Sequence, residues 1–114
     1  MNPMALDLQH VSVIGAGSWG TALAALLAEK SQTVTLWCYE PEVAQGINEH
    51  HRNPLFVSGH RLPANIRATT DLTDVACNPL LVVVVPTQFT RSLLESLRPL
   101  VGKECVFISA SKGI

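Results

Sequence analysis

Residues 11–27 read VSVIGAGSWGTALAALL, a short apolar run set directly against G-A-G-S-W-G and followed by small and apolar residues at helical spacing. That is the sequence form of a strand, a tight turn and a helix whose first turn holds a dinucleotide. Each glycine has its own expected task. Gly15 makes the turn from strand to helix, Gly17 lacks the Cβ that would keep a pyrophosphate from the backbone, and Gly20 lets the helix lie close on the sheet. Unpaired N–H groups of the first helical turn, at the positive end of the helix dipole, offer an anion site without any basic side chain.

The flanking residues give this turn its context. Val11, Val13 and Ile14 form the preceding strand, Ala22, Leu23, Leu26 and Leu27 recur at helical spacing, and Ala24, Ala25 and Ala28 are small enough for close packing. After the polar break at Lys30, Ser31 and Gln32, a second strand is expected over Thr33 to Trp37, completing a βαβ unit of about 30 residues.

The same reading continues down the chain. Pro41 to Asn48 is a short helix with Pro41 in its first turn, and residues 49–65 form a long irregular connection carrying Pro54, Gly59 and Pro63. Such a connection inside a compact domain is often functional. Ile66 to Thr69 is a short strand and Asp71 to Ala76 a brief helix. Leu80 to Val85, LLVVVV, has the continuous apolar character of a parallel strand buried on both faces. Pro86 stops it. A helix from Gln88 to about Leu100 presents Leu93, Leu94, Leu97 and Leu100 on one side, and Cys105 to Ser109 is the next strand. Strands alternating with helices imply an α/β fold, a doubly wound, Rossmann-like parallel sheet covered on both faces.

Composition narrows the partners. The chain has 114 residues, 47% apolar and 15% charged, which suffices for one domain with a real core, and its net charge is −1 with the basic residues scattered. No basic stripe points to nucleic acid, and no apolar run is long enough to cross a bilayer. The amino terminus lacks the pattern of a secretory signal, so a cytoplasmic location is expected. Cys38, Cys77 and Cys105 show no C-x-x-C spacing, and the adjacent His50 and His51 cannot easily chelate one ion together, so free thiols and no metal are expected.

In a doubly wound sheet ligands bind beyond the carboxyl ends of the strands, which selects the Gly15 to Gly20 turn, Cys38 to Glu40, Pro86 to Gln88, and Ala110 to Gly113. At the end of the second strand an acidic residue would select NAD and a basic one NADP. Here Cys38 holds that position, followed by Tyr39 and Glu40. Tyr39 can stack on adenine, and Glu40 either reaches the ribose or is a solvated helix start. Trp19 either covers the cofactor or packs between helix and sheet. Lys112, in S-A-S-K-G, either attracts a phosphate or carbonyl oxygen or is solvated.

Four blocks, GAGSWGTALA at 15–24, NPLFVSGHRLPANI at 53–66 with Thr69 to Leu72, VVVVPTQ at 82–88 and SASKGI at 109–114, make the chain resemble the amino-terminal part of the NAD(P)-dependent glycerol-3-phosphate dehydrogenases. The first block is shared widely, and the other three in this order are specific. The resemblance implies NAD or NADP binding by Gly15, Gly17, Ser18, Trp19 and Gly20, with further cofactor contacts from Cys38 and Tyr39. It implies that Pro86 lines the nicotinamide side and that Lys112 contacts both cofactor and substrate. By the same resemblance the intact enzyme interconverts glycerol 3-phosphate and dihydroxyacetone phosphate by hydride transfer, supplies glycerophospholipid precursors, and takes a small phosphorylated substrate, with homodimerisation left open.

Two departures and one gap accompany it. Where bacterial members carry Arg or His after the second strand, this chain has Cys38 and Tyr39, so cofactor preference stays open. The usual Y-L-P-G of the loop reads F-V-S-G. The family's principal catalytic lysine, the remaining strands and the helical substrate domain fall beyond Ile114, so residues 1–114 are expected to be a truncated dinucleotide-binding domain, inactive alone. The competing readings are a non-catalytic dinucleotide-binding module and another Rossmann dehydrogenase acting on a hydroxy acid or sugar acid.

Overall fold

A computed structural model describes residues 9–54, 61–102 and 104–110. Five strands, β1 (His10–Ile14), β2 (Thr33–Trp37), β3 (Ile66–Thr69), β4 (Leu80–Val83) and β5 (Val106–Ser109), alternate with four helices. These are α1 (Ser18–Ala28), α2 (Pro41–His50), α3 (Leu72–Ala76) and α4 (Thr87–Leu97). The strands form one wholly parallel sheet in the order β3-β2-β1-β4-β5. The chain winds outward from β1 to β3, then returns to the other side of β1. The order therefore reverses between β1 and β4, and the carboxyl ends of those two strands flank the crevice where ligands of such sheets bind.

Alternation of side chains along the strands divides the core in two. Val11 and Val13 of β1, Val34 and Leu36 of β2, Ile66 and Ala68 of β3, and Leu80 and Val82 of β4 point to one face, beneath α1 and α2. Ile14, Leu81 and Val83 point to the other, where Val75 of α3 and Leu93 and Leu97 of α4 cover them. LLVV is buried throughout because it has a strand on either side and helices on both faces.

The sequence places the elements closely, with differences at their ends and faces. Helix α1 turns its alanines to the sheet: Ala24 and Ala28 are buried, whereas Ala22 is exposed and Leu26 is 58% exposed. Small residues on the inner face let the helix approach the sheet, so the apolar spacing through Leu26 marks the outer flank. Helix α2 runs two residues past Asn48, to His50. Strand β4 stops at Val83 rather than Val85, since Val84 makes the last bond to β1, N–H to Ile14 O at 2.8 Å, before β1 bends away at Gly15. Asp71 stands outside α3 as its cap, accepting the Thr73 N–H at 2.9 Å. Helix α4 begins at Thr87 and ends at Leu97, two residues before Pro99, which has no N–H to continue it. Strand β5 starts at Val106, and Val106, Phe107 and Ile108 are each 38–39% exposed.

The long connection is anchored at both ends. Asn65 donates from Nδ2 to Ala28 O at 2.8 Å and Ser31 O at 3.0 Å, closing the exit of α1, and the Leu62 N–H reaches His51 O at 2.6 Å. Leu55 to His60, which include the F-V-S-G stretch, lie outside the described residues. Leu81→Ala should cost about 2–5 kcal/mol, because Leu81 is fully buried in the central layer and its removal leaves a cavity. Urea unfolding measures this, and a loss under about 1 kcal/mol would contradict the packing described.

Candidate functional site

The three glycines of the turn are required for three different reasons. Gly15 has φ +122°, and a Cβ there would stand 2.6 Å from Val84 O of the neighbouring strand's extension, so side chains are excluded by conformation and by space. A Cβ on Gly20 would overlap the Gly15 carbonyl, whose carbon would stand 2.9 Å away, with Val84 Cβ beyond at 3.6 Å. The expected close packing of helix and sheet is thus first a close packing of the helix on its own turn. Gly17, with φ −70° and ψ −174°, is ordinary extended backbone, and a Cβ added to it would meet nothing within 4 Å. The protein itself sets no demand for glycine there, and the space over Gly17 is open to a ligand.

Gly17 is the residue before α1, no side chain caps that end, and the first helical bond is Thr21 N–H to Gly17 O at 2.9 Å. The backbone N–H groups ahead of Thr21 therefore form the donor end of the helix. Ser18 is exposed beside them. Trp19 donates its indole Nε1–H to Ala110 O, just past β5, at 2.7 Å, while 46% of its surface stays exposed. Because β4 lies between β1 and β5, the indole reaches from the turn across the carboxyl end of β4. The indole is thus half-exposed at the mouth of the crevice and tied to the end of β5.

The end of β2 adjoins the turn through Gly15 N–H to Trp37 O at 3.1 Å. Here the structure places the two residues of the expected pair differently. Cys38 is fully buried, its thiol faces Leu36 O at 3.7 Å, and burial, with the Glu40 carboxylate adding to it, pushes its pKa up to about 12. Strand alternation sends Cys38 inward with Val34 and Leu36, so its side chain is withdrawn from the ribose position. Tyr39 takes the outward place: it is 80% exposed, with its ring edge-on to Trp37 at 6.4 Å. Glu40, half-buried, precedes α2 without capping it through its side chain. Pro86 is exposed at the start of α4, immediately after the Val84 segment that touches Gly15. Lys112 lies outside the described residues, as do Ser111, Gly113 and Ile114.

The turn, Tyr39, Pro86 and Ala110 thus gather at one end of the sheet. Sequence reading missed two buried polar residues behind them: Asn53 donates from Nδ2 to Ala16 O at 2.8 Å and to Thr21 Oγ1 at 3.0 Å. No periodicity announces Asn53, whose signal is only its place in the N-P-L-F block. A hollow of about 440 Å³ opens elsewhere, against Thr35, Arg67, Thr69 and Asp74, and no residue of the glycine turn lines it. Its polar walls bond one another, Thr69 Oγ1 to Asp74 Oδ2 at 2.6 Å, so the glycine turn is the better site. Among the described residues no group of three His, Cys, Asp or Glu side chains can hold a metal ion, and no helix is long and apolar enough to cross a membrane.

A parallel doubly wound sheet with a glycine turn at its switch point defines the class, a Rossmann-type nucleotide-binding domain. Residues 10–114 match the family described as NAD-dependent glycerol-3-phosphate dehydrogenase N-terminus, and the chain belongs to that family. Similar proteins include glycerol-3-phosphate dehydrogenase [NAD(P)+] of Nitratidesulfovibrio vulgaris, 48% identical over 105 residues that are 91% of this chain and 32% of the relative. That of Bacillus licheniformis is 44% identical over 94% of this chain and 31% of its own length. The chain spans about a third of the length of these curated relatives. The solved glycerol-3-phosphate dehydrogenase of Saccharomyces cerevisiae superposes with a TM-score of 0.85 at 31% identity, over 91% of this chain and 33% of the other. A ketopantoate reductase from Ralstonia eutropha, at 21% identity and a TM-score of 0.75, covers 91% of this chain and 34% of its own and shares the fold alone.

Two outcomes follow from the geometry. Gly17→Ala should change stability by less than about 0.5 kcal/mol, whereas Gly20→Ala, despite the better helix propensity of alanine, should cost about 1–3 kcal/mol through overlap with Gly15; thermal unfolding of both compares them. The Cys38 thiol keeps its proton in the folded chain to about pH 12 and loses it near 9 when unfolded. Below pH 9 both states hold the proton and nothing changes. From about 9 to about 12 only the unfolded state releases it, so stability falls as pH rises, by up to about 1.4 kcal/mol per pH unit. Urea titrations on either side of pH 9 should show this fall, and Cys38→Ala should flatten it.

Proposed function

We propose that this chain is the cofactor-holding region of an enzyme that interconverts glycerol 3-phosphate and dihydroxyacetone phosphate by hydride transfer with NAD(H) or NADP(H). The observation that carries the reading is the open space over Gly17, at the donor end of an uncapped helix and at the switch point of the sheet. A pyrophosphate fits that place: the backbone N–H groups supply donors, and among the described residues no atom beyond the turn's own neighbours lies within 4 Å of where a Gly17 Cβ would stand. When bound, the nicotinamide supplies the carbon that gains or loses hydride.

The chain's residues then divide the work. Gly15, Gly17, Ser18, Trp19 and Gly20 hold the pyrophosphate segment, Tyr39 offers its exposed ring to the adenosine end, and Pro86 borders the nicotinamide side. Of the Cys38–Tyr39 pair, Cys38 contributes through its backbone only. Lys112 attracts the phosphate or the carbonyl oxygen of the substrate, where a cation stabilises developing charge. The principal catalytic lysine that the resemblance implies belongs to the further length of the relatives, and residues 10–114 supply the cofactor-binding part. In the full-length setting the reaction would serve glycerophospholipid precursor synthesis in the cytoplasm by a homodimeric enzyme, with no nucleic-acid partner.

Of the two cofactors we favour NAD(H). Glu40 stands at the end of β2, and residues 38–48 include no Lys or Arg to receive a 2′-phosphate. Side-by-side fluorescence titrations of the chain with NADH and NADPH should give a Kd for NADH at least about tenfold lower, a gap of about 1.4 kcal/mol. Equal affinities would remove the preference, and failure of both to bind would remove the reading. Gly17→Val should abolish NADH binding with the fold intact. In a protein of the relatives' full length, Lys112→Ala should depress turnover by at least about a hundredfold with little change in stability, and unaltered kinetics would return Lys112 to the solvated surface.

A further inference from the structure

We propose that Asn53 is a positioning residue of the phosphate turn, holding the Ala16 carbonyl inward so that the Gly17 N–H faces the anion; this rests on the dinucleotide reading above. The geometry is compact. Asn53, fully buried, donates to Ala16 O at 2.8 Å and to Thr21 Oγ1 at 3.0 Å, and Thr21 Oγ1–H itself donates to Ala16 O at 3.2 Å. Both acceptor positions of the Ala16 oxygen are thereby occupied from the protein side. The C=O and N–H of one trans peptide point in opposite directions, so fixing the Ala16 oxygen inward fixes the Gly17 N–H outward, toward the space where a Cβ on Gly17 meets nothing within 4 Å. Donors on the carbonyl also polarise the peptide, strengthening its N–H as a donor.

The loop after α2 exists in a form that delivers this amide. His51 takes φ +57° to end the helix, and the chain doubles back over Gly46, where a Cβ would stand 2.8 Å from Pro54 Cδ and 3.0 Å from Arg52 O. Gly46, inside α2, is the clearance for residues 52–54. An amide kept in a dry interior is costly unless bonded, and here its two N–H donors go to the turn and to the residue that braces the turn. The N-P-L-F block of the sequence is thus joined mechanically to G-A-G-S-W-G.

The test uses the 114-residue chain with NADH and adenosine as probes, since adenosine lacks the pyrophosphate. Asn53→Leu and Asn53→Asp should weaken NADH about tenfold while adenosine stays within about twofold, and Thr21→Val should weaken NADH where Thr21→Ser restores it. The Gly17 amide resonance should move downfield on NADH addition in the parent and in Thr21→Ser, and not in Asn53→Leu. Undiminished NADH affinity in folded Asn53 variants, or equal loss of NADH and adenosine, overturns the proposal. If the Asn53 variants do not fold, the Thr21 pair decides, and equal NADH affinity of Thr21→Val and Thr21→Ser overturns it. A parent chain that binds no NADH defeats the dinucleotide reading itself, an outcome distinct from parent binding that the variants leave unchanged.

Discussion

Everything at the ligand end of this domain depends on the backbone of β1 passing the extension of β4 at a separation that admits no methyl group. Gly15 can lie against Val84 O only because it has no Cβ and can hold φ +122°. That contact decides where β1 stops, and therefore where β4 loses its partner, one residue after the Val84 N–H reaches Ile14 O. It also brings the Gly15 carbonyl under Gly20, which fixes where α1 begins. Strand ends, helix start and crevice are three consequences of one close approach.

The order of elements was legible because hydrophobic periodicity reports burial directly. LLVVVV announces a strand with neighbours on every side, and Leu93, Leu94 and Leu97 announce a helix face. Ends and orientations were less legible, because they depend on partners distant in sequence. Nothing in residues 80–85 tells that β1 will bend away beside Val84. Nor does the spacing of leucines in α1 tell that the helix lies close enough to the sheet to need Ala24 and Ala28 inside, with Leu26 left in solvent.

The site divides in the same way. Glycine roles were legible in kind, since turns and close approaches leave their mark on residue type, but the neighbour that forces Gly20 is the carbonyl of Gly15, five positions earlier in the chain, not the sheet at large. Cys38 shows the reverse case: the resemblance names it with Tyr39 as a cofactor contact, while simple alternation from Val34 and Leu36 sends its side chain to the core, where burial raises its pKa. Asn53 was invisible to both arguments. A single polar residue in an irregular loop has no period, and its worth lies wholly in a bond across 37 residues of chain.

These features give the site its electrostatic character. With a net charge of −1 and no Lys or Arg between residues 31 and 51, attraction for an anion near β1 and β2 must come from oriented peptide groups. Peptide dipoles attract only when they cannot rotate away, and each restraint in the turn acts on that freedom: Gly15 by conformation, Gly20 by clearance, Thr21 and Asn53 by hydrogen bonds to Ala16 O. Trp19 extends the restraint to Ala110 at the far side of the crevice. A fixed array of neutral donors with no nearby Lys or Arg, beside the Glu40 carboxylate at the end of β2, therefore attracts an anion by the geometry of its peptide groups rather than by net charge.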